Sequence, residues 1–183
     1  MQRLLFLSST SLLLLASAPG CGDDDCGPGS APSKGLTAAN ADVQFVYEGL
    51  VSGTNNDCPD PQAPEGVISL TISGTRVDGG GIVTLCVPRP DKLPDGLPLG
   101  MSGVRVIDLT ADVNTDCKYT LNSGRPPTGT ASASGLCDAG ANTSGFALTI
   151  DGALSLDLVC GNPPSVMNTI AVQFTGTVAV TVP

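Results

Sequence analysis

From about Ala41 onward, apolar and polar residues alternate in short runs. Val43, Phe45 and Tyr47 fall on one face of their run, and Ile68, Leu70 and Ile72 on one face of the next. Phe146, Leu148 and Ile150, then Ile170, Val172 and Phe174, repeat the device. A period of two belongs to strands with one buried and one wet face, and no stretch shows the i, i+3, i+4, i+7 spacing of an amphipathic helix. Prolines 59, 61, 64, 88, 90, 94, 98, 126, 127, 163 and 164 fall between these runs, as expected of a residue that cannot donate to a ladder. The pattern predicts strands over 42–51, 67–73, 82–87, 104–110, 117–121, 129–136, 146–150, 153–159, 166–174 and 177–182. Gly79-Gly80-Gly81 reads as a tight reversal, and Asp151-Gly152 as a two-residue hairpin turn. The run 128–135 has small residues on both faces and suits an edge strand or a loop. Together these predict an all-β body, a single antiparallel β-sandwich of Greek-key or jelly-roll-like connectivity, with a β-barrel as the alternative.

Ahead of that body the pattern breaks. Arg3, then Leu4-Leu5-Phe6-Leu7 and Leu12-Leu13-Leu14-Leu15, form a short positive and then apolar leader, so residues 1–20 read as a signal peptide. Ala18-Pro19-Gly20-Cys21 resembles the lipobox of bacterial lipoproteins, with Ala18 where that family usually has Leu. The resemblance implies that Cys21 is lipidated, becomes the mature N-terminus and holds the protein to a membrane. Ala16-Ser17-Ala18 also fits the pattern of ordinary secretory cleavage, which would leave a secreted protein. Residues 21–39, with Asp23-Asp24-Asp25 and Gly27-Pro28-Gly29, read as an acidic tether, and 40–183 as the folded domain.

Cysteine parity bears on the same choice. The chain has seven cysteines. Acylation of Cys21 would leave an even set, Cys26, Cys58, Cys86, Cys117, Cys137 and Cys160, for disulfides in an oxidising compartment. Sequence admits many pairings of these six. The expected set is Cys117 with Cys137, Cys86 with Cys160, and Cys26 with Cys58.

Composition narrows the chemistry. The chain has no His, which removes Ser-His-Asp and Cys-His nucleophiles and imidazole-bound metals. A net charge of −9 argues against nucleic acid as a partner. No G-x-S-x-G, S-x-x-K, P-loop, G-x-G-x-x-G or C-x-x-C pattern occurs. Asp112, Asn114 and Asp116 stand at the alternate positions with which calcium loops begin, although Cys117 occupies the place of the loop glycine. A polar turn is the plainer reading of that run. Among the acidic residues, Glu48 and Asp108 fall within predicted strands and are expected to face outward. Tyr119 is the one aromatic ring after the leader expected to be exposed for stacking on a sugar. Two loops, 52–66 and 88–100, are long enough to serve as interaction surfaces. The expected function is that of a lipoprotein of the bacterial cell envelope, facing the periplasm or the exterior. It would be anchored by lipid, with a structural or protein-interaction role, no catalysis and no cofactor, and an envelope protein or glycan as partner. The alternative is a secreted calcium- or carbohydrate-binding module.

Overall fold

The computed structural model describes residues 35–54, 58, 69–134 and 145–181. Its strands are β1 (Leu36–Ala39), β2 (Gln44–Thr54), β3 (Leu70–Arg76), β4 (Ile82–Val87), β5 (Leu97–Pro98), β6 (Arg105–Asp112), β7 (Cys117–Leu121), β8 (Thr128–Ser134), β9 (Gly145–Cys160) and β10 (Ser165–Thr181). A short 3-10 helix spans Pro90–Asp95. The all-β expectation holds, but the architecture is a closed antiparallel barrel of eight strands and not a sandwich. The ring runs β1-β2-β3-β4-β6-β7-β9-β10 and returns to β1, while β8 and β5 extend the wall beside β9.

Closure has an identifiable cause in the long strands. Asp151-Gly152 is not a turn: β9 runs straight through it and pairs with β10 from Gly145 opposite Thr181 to Cys160 opposite Ser165. Gly152 is there for close approach. A Cβ at that position would run into Leu99 Cδ1 and the Thr128 carbonyl, and its cross-strand neighbour is the buried Phe174. The same continuity merges the predicted strands 166–174 and 177–182 into β10. With its C-terminal end paired in parallel to β2 at Leu50 and Val51, β10 shuts the ring. β1 wedges between β10 and β2 farther along, so the folded body includes residues 36–39, which the sequence pattern assigns to the tether.

Bulges bend the wall and reset its phase. In β2, Glu48 pairs with Thr75 and Val51 with Ser73, so Gly49 and Leu50 face Gly74 alone. Gly49 takes a φ of 62°, in the left-handed region that glycine enters without strain. Phe45 and Tyr47 point inward before this bulge, and Leu50 and Ser52 after it. In β6, Thr84 pairs with Asp108 and Leu85 with Val106, which leaves Ile107 unopposed.

Eight strands enclose a lumen that side chains can fill. Leu36, Tyr47, Leu50, Ile72, Leu85, Leu109, Phe146, Leu148, Ile150, Leu156 and Phe174 are fully buried there. Tyr47 reaches across from β2, and its hydroxyl donates a hydrogen bond of 2.9 Å to the Thr110 carbonyl of β6. Leu93 of the 3-10 helix and Leu99 join the same core. The 88–100 segment therefore packs against the barrel, and its Leu93 and Leu99 are not available to a partner.

Two disulfides hold the described wall, and neither follows the expected pairing. Cys58 bonds to Cys86, and Cys117 to Cys160. Each expected pair is overturned because a partner is taken: Cys117 is bonded to Cys160, not Cys137; Cys86 is bonded to Cys58, not Cys160; and so Cys58 is not bonded to Cys26. The reason is register, since Cys117 and Cys160 face each other directly across the β7–β9 ladder. Cys21, Cys26 and Cys137, with the leader, residues 21–34 of the expected tether and most of the 52–66 loop, lie outside the described residues.

Two outcomes test this packing. Gly152→Ala should lower stability by about 1–3 kcal/mol through overpacking. Gly53→Ala, with nothing within 4 Å of the added Cβ, should be neutral or mildly stabilising. Denaturant titration of both separates close approach from strand propensity. Burial pushes the Tyr47 phenol well above its ordinary 10.0, with Arg76 opposing and Asp108 adding to the shift. Its folded pKa is raised, so its contribution is complete below pH 10.0 and is lost as pH rises further. Tyr47→Phe should cost about 1–2 kcal/mol at neutral pH and should flatten that part of the alkaline loss, read from melts between neutral and strongly alkaline pH.

Candidate functional site

The barrel wall is not equally sealed all round. Along one edge β6 pairs with β4 from Arg105 to Leu109, and along the other it meets β7 only from Thr110 to Asp112. β7 then leaves the wall at Leu121. The chain crosses through 122–127 and resumes as β8 along the other half of β9, opposite Ala147–Ala153. The reason lies in Asn122-Ser123-Gly124-Arg125-Pro126-Pro127: Asn122 closes a local turn, its carbonyl and Oδ1 accepting the Arg125 and Gly124 N–H groups, and the two prolines that follow have no N–H with which to resume a ladder.

A cleft of about 380 Å³ opens between β6 and this crossing. Its lining includes Val106 and Leu121, which also pack against the core, together with Met101, Ile107, Arg105 and Arg125. Met101 is 86 % exposed and Ile107, placed at the bulge of β6, is 49 % exposed. The Arg105 Nη2 donates to Cys86 Sγ at 3.0 Å, which aligns its side chain along the outer face of the wall.

Asp157 on β9 buttresses the crossing. It accepts a hydrogen bond of 2.6 Å from the Thr169 hydroxyl and one of 2.9 Å from Asn122 Nδ2. Asn122 Oδ1 in turn accepts from the Gly124 N–H at 2.9 Å, and the Asn122 N–H donates to the Ser155 carbonyl. The hydrogen bonds from Thr169 and Asn122, with a smaller contribution from the Arg125 charge, hold the Asp157 carboxyl below the usual 3.8. The arrangement offers backbone groups, apolar side chains and guanidinium charge in one place. That equips it for recognition.

The residues singled out by sequence go elsewhere. Asn114 closes the β6–β7 turn: its Oδ1 accepts the N–H groups of Asp116 and Cys117, both at 2.9 Å. Asp112 and Asp116 are exposed, and among the described residues no group of three His, Cys, Asp or Glu could hold a metal ion. Tyr119 is half-buried and not free for stacking. Its ring lies 5.4 Å from that of Phe45, and the Arg76 guanidinium sits 4.9 Å above the Phe45 ring while donating to the Asp112 carbonyl. Glu48 is exposed, and Asp108 is half-buried. The cleft residues Arg105, Ile107 and Arg125 carry no motif. The one sequence signal that bears on them is the Pro-Pro step between two strands.

Asp157→Ala should loosen the crossing without unfolding the barrel. Hydrogen exchange at the Gly124 and Arg125 amides should quicken, while the melting temperature moves little. In the native protein the same quickening should appear as pH falls below 3.8: the folded pKa is depressed, so the support is complete above that value and is lost below it. Comparison of this chain with protein-family models, with curated proteins and with solved structures finds no match.

Proposed function

We propose that the protein is a lipoprotein of the bacterial cell envelope, held to the membrane through Cys21, whose disulfide-stapled barrel has a structural or protein-interaction role without catalysis. The observation that carries this reading is the pairing of Cys58 with Cys86 and Cys117 with Cys160. One disulfide joins two wall strands and the other ties Cys58 to β4, and such bonds suit an oxidising compartment outside the cytoplasm. That agrees with the leader at residues 1–20 and with the lipobox-like Ala18-Pro19-Gly20-Cys21.

Parity adds to it. Of the seven cysteines, Cys21, Cys26 and Cys137 remain after the two bridges. Acylation of Cys21 then leaves Cys26 and Cys137 as an even pair. A lumen filled by side chains favours recognition at the outer surface over enclosure of a ligand. More than one acyl chain on Cys21 would provide durable attachment.

The test is the full chain with its leader, expressed in a bacterial host and fractionated. The membrane fraction should hold a mature protein that starts at an acylated Cys21 and carries no free thiol. Cys21→Ser should shift it to the soluble fraction. A mature N-terminus at Pro19 with an unmodified Cys21 would replace this reading with the secreted one.

A further inference from the structure

We propose that the cleft beside β6 receives an extended acidic peptide segment of another protein, added as a strand to the edge of β6 between Arg105 and Leu109. The inference does not depend on lipid attachment and goes beyond it.

Four observations converge on this occupant. Among the described residues, no strand pairs with Arg105–Leu109 on the side facing the cleft. An unpaired strand edge is a template for another chain, whose main-chain hydrogen bonds supply affinity while side-chain pockets supply selectivity. The opposite wall directs its N–H groups elsewhere: that of Asn122 donates to the Ser155 carbonyl, that of Gly124 to Asn122 Oδ1 and that of Arg125 to the Asn122 carbonyl, and Pro126 and Pro127, which follow, have none. Apolar side chains stand where an incoming strand would place its own: Met101 and Ile107 are exposed at the cleft, with Val106 and Leu121 beneath.

Charge selects the partner. The chain has eight Lys and Arg against seventeen Asp and Glu, yet Arg105 and Arg125 line this cleft and no acidic residue does. Guanidinium groups engage carboxylates through paired, charge-assisted hydrogen bonds. A volume of about 380 Å³ suits a few residues of an extended chain.

A second edge, β10 from Ser165 to Ala171, also lacks a strand neighbour on one side among the described residues. It carries no charge that would select a partner, and the bulge between Val166 and Asn168 interrupts its ladder.

The probe is a fluorescein-labelled peptide, acetyl-Thr-Val-Glu-Val-Asp-Val-Thr-amide, titrated against the folded protein by anisotropy. Saturable binding is expected, weakened about tenfold or more when lysines replace the acidic residues or when the protein carries Arg125→Glu. Ile107→Asp, at an exposed position, should weaken it similarly. Melts of both variants should match the native protein. Hydrogen exchange should show slowed amides within Arg105–Leu109 in the complex. Four results would each overturn the proposal: no saturation up to about 1 mM peptide, undiminished binding to Arg125→Glu, protection on β10 in place of β6, or equal displacement by free glutamate, which would mark a simple carboxylate site.

Discussion

Cross-strand pairing of β9 with β10 is the constraint on which the rest of the molecule depends. The two strands pair from Gly145 opposite Thr181 to Cys160 opposite Ser165, the longest ladder among the described residues. One ladder of that length sets the curvature for everything attached to it. β10 closes the ring on β1 and β2. The other edge of β9 is divided, with β8 taking Ala147–Ala153 and β7 taking Leu156–Cys160. A strand shared by two successive neighbours needs a crossing between them, and the crossing at 122–127 opens the cleft. The cleft is therefore a product of the topology and not an accident of one loop.

The core and the covalent links serve that ladder. Phe146, Leu148, Ile150, Leu154 and Leu156 of β9 are all buried, as are Val172, Phe174, Val178 and Val180 of β10. Each such side chain contributes on the order of 1.5–3 kcal/mol when removed from water. The Cys117–Cys160 bridge fastens β7 to the end of β9 where the hairpin turns back. Bridging residues separated by 43 positions is worth roughly 4 kcal/mol in the chain-entropy treatment. Cys58–Cys86 fastens Cys58 to β4.

Much of the fold was legible in the alternation of residues. Strand β7 matches its expected span, β4 likewise, and the reversal at Gly79-Gly80-Gly81 joins β3 to β4 as read. The small-residue run at 128–135 is indeed a strand beside the ring, β8. Asp151-Gly152 misled because a turn and a point of close strand approach both call for glycine, and local sequence does not distinguish them. That one reading splits β9 into a hairpin, and a barrel then looks like a sandwich. The Cys117–Cys160 bridge escapes alternation for a related reason: the pairing follows the β7–β9 ladder, and alternation within a run does not reveal which distant strand lies beside it. Leu36–Ala39 is too short and too near the acidic run to stand out as a strand. The cleft left only the Pro126-Pro127 step as a trace, because its functional groups come from segments that are brought together by topology.

A filled barrel with a break in its wall is suited to surface recognition. All of this rests on β9 being one continuous strand. Cross-strand nuclear Overhauser contacts in isotopically labelled protein test it most directly. A continuous β9 gives contacts to β8 on both sides of Gly152, including Gly129 with Gly152 and Ala131 with Ile150, together with contacts between Val180 and Leu50 where the barrel closes. A turn at Asp151-Gly152, with contacts folding 146–150 back onto 153–159, would contradict it and restore the sandwich.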